Sequence, residues 1–530
     1  MKIDKKILNE IQDIVGKENA TDNEVILESY TYNWCVEFIN VMEGKDPIPF
    51  WHKPIAVVLP STTEEVQKFV KLCNKYHLKF KAQSTGLGPW NQPSEDDVIV
   101  VDLRRMNKIV KIDPKNMYCV VEPYVTGAQL QAELLKYGLN CHMPGAGPQV
   151  SPLASSTSMC GPGFTSSSTG FSGRNVLGTE WVLPTGEILR LGSLSLKENS
   201  DWFHGDGPGP SLRGIMRGFI GTKSGLGIFT RVAIKLFPFP CNIKQLEIKN
   251  IIPNYDFDIP NYMQFHLISC KNYETLELAF DRIEKEGITF MCFHTSTYGL
   301  HTIFSNTQEE LMNRAVASPR IKNPLVVLIT ANTKREFEYK EKVLKTAIEE
   351  LKVKDVVATG KYIPPNIAYA EALRSALGMH GFLATGAFQS THGSMDTSRL
   401  CRVLMERNLP LKKEYIDKGL IGNDEGKGNW STSYEHGHFY HIETPTMYDQ
   451  TKVESVEGFV EYLDRCNKLD LVEHLGIPFF IEGDKMHDWY GPQCSNYHIW
   501  LRKIKTKFDP NFVADSGFYI SPEKEENKTT

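Results

Sequence analysis

Along the chain, apolar residues change their spacing at points marked by glycine, proline and helix-capping residues. Pro54-Ile-Ala-Val-Val-Leu59-Pro is an apolar run too short for a helix and predicts a buried strand. In the following STTEEVQKFVKLCNKY, Val66, Phe69, Val70 and Cys73 share one helical face, and Ser61 is placed to cap that helix. Strand-like runs recur at residues 79–82, 98–103 and 118–122. A helix over 127–136 ends at Gly138, where the absence of a Cβ suits a left-handed cap. Residues 180–189 read as a hairpin turning at 184–186, and 212–238 give a helix, a glycine-rich turn and a strand closed by Pro238. From about 240 to 490, strands alternate with amphipathic helices such as KREFEYKEKVLKTAIEELK, and IWLRKIKTKFDPN is a helix ended by Asp509-Pro510. The pattern is mixed helix and sheet with short connections.

At 530 residues the chain is long enough for two or three domains. A net charge of -5 gives no general attraction for nucleic acid or for an anionic membrane surface. The N-terminal MKIDKKILNEIQDIVGKEN alternates charge with apolar residues, unlike a signal peptide, and no later run suits a membrane span. The 11 cysteines lack CxxC spacing, which favours reduced thiols in the cytoplasm over a disulfide framework or an Fe–S site.

Neither GxGxxG after a strand nor GxxxxGK[ST] occurs, which argues against a Rossmann dinucleotide site and a P-loop. Instead, the strand at 79–82 runs directly into Gln83-Ser-Thr-Gly-Leu-Gly88. Small residues there let backbone N–H groups converge on an anion. A second glycine- and serine-rich stretch, PGAGPQVSPLASSTSMCGPGFTSSSTGFSG, follows between structured elements, where a flexible linker would be out of place. Two such loops in this order, followed by Gly225-Leu-Gly-Ile-Phe, suit a large ligand with a pyrophosphate and a ribityl chain.

These segments resemble the FAD flavoproteins of the vanillyl-alcohol oxidase, 4-cresol dehydrogenase and D-lactate/glycolate dehydrogenase superfamily. The matching pieces are PIAVVLPSTTEEVQKFVKLCNKY, the phosphate loop, VVDLRRMNKIVKIDPKNMYCVVEPYVTGAQLQAEL, GTEWVLPTGEIL, GTKSGLGIFTRVAIKLFP and the closing FDPNFVADSG. The resemblance implies an α+β fold with a bipartite PCMH-type FAD-binding domain, formed by residues 1–238 and a returning tail at 491–530. An antiparallel-sheet cap at 239–490 would supply the substrate pocket. By position, Gln83, Ser84, Thr85, Gly86, Leu87 and Gly88 would hold the pyrophosphate. Gly145, Thr157, Ser158, Met159, Gly161, Gly163, Thr165, Gly170 and Asn175 would line the cofactor, with Gly227 and Ile228 making backbone contacts.

The chain departs from the phenol-oxidising members at three places: Leu87 where they have a tyrosine, Phe480 and Ile481 in place of a Tyr-Arg pair, and no acidic residue near 170–172. A buried phenolate needs a cation or hydrogen-bond donors, so these departures argue against that substrate. No histidine stands in residues 83–90, and Phe382 takes the likeliest cap position with His380 nearby, so the resemblance implies dissociable FAD.

Tyr434-Glu-His436-Gly-His438-Phe-Tyr440-His441-Ile-Glu443 concentrates three of the 15 histidines. Read as a strand, it sets His436, His438 and Tyr440 on one face and His441 and Glu443 on the other. A neutral imidazole there could take a hydroxyl proton as hydride leaves the substrate. Metal ligation and hydrogen bonding within a polar sheet are the competing readings, and no metal is assigned. His392 is a further catalytic candidate, while Glu482, Asp484 and His487 read as polar cap residues on a solvated loop.

The expected function is an FAD-dependent dehydrogenase or oxidase acting on a small organic substrate, with an alcohol carbon as hydride donor. Electrons would pass to oxygen or to a protein acceptor: an Fe–S subunit, an electron-transfer flavoprotein or a cytochrome. A homo-oligomer is expected. The alternatives are a metal-assisted D-2-hydroxy-acid dehydrogenase and a non-redox flavoenzyme like alkyl-glycerone-phosphate synthase.

Overall fold

A computed structural model describes residues 2–86, 88–145, 147–159, 161–193, 205–206, 209–218, 220–239, 260–302, 305–317, 321–357, 387–476 and 483–523. The expectations at Leu87, His380, Phe382, Phe480, Ile481 and Glu482 lie outside those residues.

The first sheet has four strands. Ala56–Val58, Val98–Asp102 and Lys79–Gln83 run parallel, and Ala20–Thr21 pairs antiparallel on the outer edge. The central strands are almost wholly apolar because helices cover them. Helix Thr63–Tyr76 buries Val66, Phe69, Val70 and Cys73 against the sheet. Its cap is Thr62, one residue later than expected, while the Ser61 amide and hydroxyl bond the Glu65 carboxylate.

A five-stranded antiparallel sheet follows, in the order Ile109–Asp113, Tyr118–Val121, Ile228–Lys235, Val176–Val182 and Ile188–Leu191. Its hairpin turns at Gly186, φ +83°. Helix Gly127–Leu135 closes over it, and Gly138 takes the expected left-handed conformation, φ +70°. The C-terminal segment reaches back to the first sheet: the Phe80 amide donates to the Val513 carbonyl at 2.8 Å, and the Asp515 amide to the Phe80 carbonyl at 2.9 Å.

The seven-stranded sheet is antiparallel throughout. Its order is Lys354–Asp355, Met263–Ser269, Pro324–Thr330, Thr289–Thr295, Trp430–Tyr434, Phe439–Tyr448 and Ala387–Asp396. One face packs on helices Tyr273–Glu284, Lys334–Leu351 and Ser398–Asp417 through Leu276, Phe280, Leu344 and Leu404. The opposite face gathers Phe265, Phe293 and Trp430, with Phe164 of the second glycine-rich loop packed among them. Trp34 also crosses to the cap, its ring 5.2 Å from Phe388. The cavity lies where this second face meets the glycine-rich loops.

One local expectation is corrected. Residues 434–443 are not a continuous strand: 435–438 turn between Trp430–Tyr434 and Phe439–Tyr448, with Glu435, His436 and Gly437 all at positive φ. A turn fits these residues because glycine reaches that region without cost and two neighbours follow it.

Candidate functional site

At the end of strand Lys79–Gln83 the chain leaves the sheet through Gly86, φ +77°, and Gly88, φ +91°. Such angles favour glycine. Among the described residues, the amides of Thr85, Gly86 and Gly88 donate no hydrogen bond within the protein. The loop is braced behind: the hydroxyls of Ser84 and Ser151 both donate to the Pro123 carbonyl.

The second loop folds into two short helices, Pro152–Thr157 and Ser166–Thr169. The Thr157 carbonyl accepts from the Thr222 amide at 3.0 Å, which ties this loop to the turn that follows. In that turn Lys223 and Ser224 hold the left-handed conformation, φ +43° and +72°, uncommon for residues with a Cβ. The Lys223 carbonyl accepts from buried Lys81 Nζ at 2.9 Å, and Ser224 Oγ accepts from the Ala82 amide at 2.9 Å.

These three segments wall a cavity of about 430 Å³. Ser84, Thr85, Gly86, Gly88 and Gly145 face it, as do Thr157, Ser158, Met159, Gly161, Gly227 and Ile228. A Cβ at Gly163 would collide with the Met143 carbonyl oxygen, and one at Gly227 with the Val182 carbonyl oxygen, so the loops pack as bare backbone. Unpaired amides at one end, small residues along the wall and apolar surface at the other suit a phosphate-bearing cofactor with a flat ring system.

Other expected cofactor residues stand behind the wall. Gln83 borders a separate polar pocket with Tyr30 and Arg104. Thr165 bonds Thr169, Asn175 Nδ2 donates to the Thr169 carbonyl, and Gly170 approaches Glu435. His142 sits under the same loop between Thr169 Oγ1 and the Gly161 carbonyl, and burial pushes its pKa down to about 4, keeping it neutral.

The far end of the cavity is built by the seven-stranded sheet. Phe164 stacks on Phe293 at 4.4 Å and lies 5.7 Å from Trp430. Trp430 is 9% exposed, and its indole N–H has no partner within the described protein. Glu443 stands directly across the strand pair from Trp430. Its Oε2 accepts from Ser390 Oγ at 2.5 Å, and burial pushes its pKa up to about 7 although that hydrogen bond works the other way. Asp424 also faces the cavity but is neutralised by buried Lys412, 2.6 Å away. No Lys, Arg or His is among the described cap residues lining this end.

The expected catalytic residues separate. His436 and His438 lie on the hairpin turn, away from the cavity. Tyr440 points to the helical side, where its hydroxyl donates to Asp281 at 2.8 Å. His441 is buried on the cavity-side face, its Nε2 4.0 Å from Glu443 Oε1. His392 is wholly buried between Asp470 Oδ1 at 2.8 Å and Asn408 Oδ1 at 3.0 Å. Burial opposes its charge, but the Asp470 carboxylate overcomes this and holds the imidazole pKa well above the usual range. Trp430 and Ser390 also line the cavity, though nothing in the sequence marks them, and Glu443 stands out there only as the companion of His441. The strand alternation that pairs His441 with Glu443 was the available signal.

Residues 54–192 match the family described as FAD binding domain. Over 202 residues the chain is 31% identical to the flavoprotein subunit of 4-cresol dehydrogenase [hydroxylating] from Pseudomonas putida, a match covering 37% of each protein. It is 28% identical over 221 residues to the D-lactate dehydrogenase of Anaerostipes hadrus, covering 41% of this chain and 43% of that one. These matches thus span less than half of each relative. The solved structure of p-cresol methylhydroxylase with substrate bound superposes with a TM-score of 0.76 at 18% identity, covering 97% of this chain and 96% of that chain. An alkyldihydroxyacetonephosphate synthase superposes with a TM-score of 0.64 at 16% identity, over 99% and 85%. The fold is the PCMH-type FAD-binding fold with an antiparallel-sheet cap. FAD is the cofactor this domain serves, and the cavity walls fit it.

Proposed function

We propose that the protein is an FAD-dependent oxidoreductase that removes hydride from an alcohol carbon of an uncharged organic substrate. The observation that carries this is the continuity of one cavity from the Ser84–Gly88 loop to an aromatic chamber holding a carboxyl at Glu443. Bound FAD supplies the hydride acceptor. The protein's part is to seat the substrate against Phe164 and Trp430, exclude water with the apolar lining, and hold its hydroxyl where a proton can leave.

The chamber favours this over a 2-hydroxy-acid substrate. An anion placed at the cap end would meet Glu443 with no cationic side chain among the described cap lining to receive it. The histidines of the 436–441 segment fit structural roles better than direct catalysis, because only His441 approaches the chamber. Among the described residues no group of three His, Cys, Asp or Glu is placed to hold a metal ion.

Because the described residues contain no helix long and apolar enough to cross a membrane, electrons are proposed to leave through an acceptor that meets the protein surface. A cytochrome, an electron-transfer flavoprotein, an Fe–S subunit and oxygen are the acceptor classes to compare. A cytoplasmic homo-oligomer is the proposed working form.

Anaerobic mixing of the FAD-loaded protein with alcohols and 2-hydroxy acids tests the reading. An uncharged aromatic alcohol should bleach the flavin band while D-lactate leaves it unchanged. Bleaching by D-lactate alone, or by no member of a broad panel, would refute it.

A further inference from the structure

Glu443 stands apart from the other carboxylates at the cavity. Asp424 is spent on Lys412 Nζ at 2.6 Å, and its Oδ1 accepts from the Gly426 amide. Glu443 has a hydroxyl partner in Ser390 on the adjacent strand and His441 on its own strand, 4.0 Å away. Among the described residues no Lys or Arg pairs with it. Across the strand pair stands Trp430, nine-tenths buried, with an N–H that the described protein leaves unsatisfied. Lys81 and Lys223 belong to the cofactor end, where Lys81 Nζ donates to the Lys223 carbonyl.

The Trp430 N–H is enclosed as well as unsatisfied among the described residues, so what Trp430 offers the chamber is apolar wall. A buried carboxylate without a cation is costly, and the cost falls once it gains a proton. A hydroxyl group of a ligand in the chamber donates to that carboxylate without bringing in a second charge. The surrounding Phe164, Phe388 and Met447 add a flat apolar wall. The two strands that carry Glu443 and Ser390 are locked in register by a bulge. Ser390 opposes Pro445 and Gly393 opposes Glu443, so Thr391 and His392 together face the single residue Thr444. The buried His392–Asp470 pair anchors that bulge from behind, which fixes Ser390 against Glu443.

Resting on the redox reading above, we infer that the chamber takes an uncharged aromatic alcohol and that Glu443 is the base that accepts its hydroxyl proton. The carbinol C–H bond breaks with its electron pair, which leaves as hydride and is received by oxidised FAD. The O–H proton moves to a Glu443 oxygen, and the C–O single bond becomes a carbonyl. The substrate loses two hydrogens and two electrons, and the protonated carboxyl returns its proton to solvent as product leaves. Ser390 and Trp430 are positioning residues in this step.

Two probes separate the binding claim from turnover: 2-phenylpropan-2-ol, which has no carbinol hydrogen to lose, and benzoate. Each is titrated into FAD-loaded wild-type and E443Q protein at pH 8.5, following the flavin absorbance and the heat of binding. The alcohol should bind wild type at least about tenfold more tightly than benzoate, and E443Q should shrink that preference to about threefold or less. Infrared difference spectra between pH 5.5 and 8.5 should show a protonated carboxyl band that titrates in wild type and is missing from E443Q. With an oxidisable benzylic alcohol, E443Q should slow anaerobic flavin reduction by about 100-fold or more. E443D, which keeps a carboxyl, should retain the titrating band and recover part of that rate, and it serves as the test should E443Q fail to fold.

Equal or tighter benzoate binding by wild type, a titrating band that survives in E443Q, or flavin reduction unaffected by the substitution would overturn the assignment. The redox reading would fail differently: no alcohol would bleach the wild-type flavin, whatever the two binding probes show.

Discussion

At the scale of single residues, the site is decided by what a side chain is denied. Among the described residues Glu443 has no Lys or Arg partner and Trp430 no partner for its N–H, while Gly163 and Gly227 have no room for a Cβ. Glu443 therefore gives a stability prediction with a definite sign. Its folded-state pKa is raised from 4.5 to about 7, so its contribution is fully present below about pH 4.5 and is lost as pH rises through about 7. E443Q should therefore unfold like wild type near pH 4 and be the more stable protein at pH 8.5, by up to about 3 kcal/mol, in thermal or urea unfolding. Gly163 gives a second prediction. Alanine there should destabilise the protein by about 1–3 kcal/mol and loosen FAD retention, measured as flavin lost on gel filtration, because the Met143 carbonyl must move. The glycines were legible in the sequence because small residues in loops signal close backbone approach. Trp430 and Ser390 were not, since an aromatic and a serine on strands carry no mark of which face meets a ligand.

At the scale of elements, local rules located most of what the chain builds. The runs at 54–59, 79–82, 98–103 and 118–122 became strands Ala56–Val58, Lys79–Gln83, Val98–Asp102 and Tyr118–Val121. Alternation failed at 434–443, where Glu435, His436 and Gly437 enter the left-handed region to make a turn. The histidine count there drew attention, but periodicity cannot tell a long strand from a hairpin when polar residues occupy both faces. Two elements carry tests of their own. In helix Tyr497–Phe508, buried Lys505 donates to Asp509 at 2.6 Å and to the carbonyls of Gly225 and Ala514. Lys505→Met leaves Asp509 buried without its cation, held among the described residues only by the Val513 and Ala514 amides, and should cost about 3–5 kcal/mol and free the C-terminal segment to protease. On the sheet edge, His266 bridges Asp355 at 2.7 Å and Glu341 at 2.9 Å. Burial pulls its pKa down, but the two carboxylates raise it to about 9. Its stabilisation is thus complete below about pH 6.5 and fades as pH rises through about 9, and H266Q should flatten the stability profile across that window.

At the scale of the whole molecule, the cofactor cavity is assembled from segments far apart in sequence. The Ser84–Gly88 loop, the second loop near 157–161 and the turn at 223–228 meet because the fold brings them to one cavity. The order of those glycine-rich segments made this assembly readable in advance. The chamber was less readable, because its walls come from Phe164, Phe388, Trp430 and Glu443, which no local motif connects. Superposition on p-cresol methylhydroxylase supports the arrangement of the fold. Everything proposed for the chemistry depends on that cavity holding FAD, which we propose is held without a bond to the protein. Acid precipitation of the purified protein, with the flavin measured in supernatant and pellet, tests this most directly. The account predicts a yellow protein that releases close to one FAD per chain into the supernatant. A colourless protein, or flavin that stays with the pelleted chain, would contradict it.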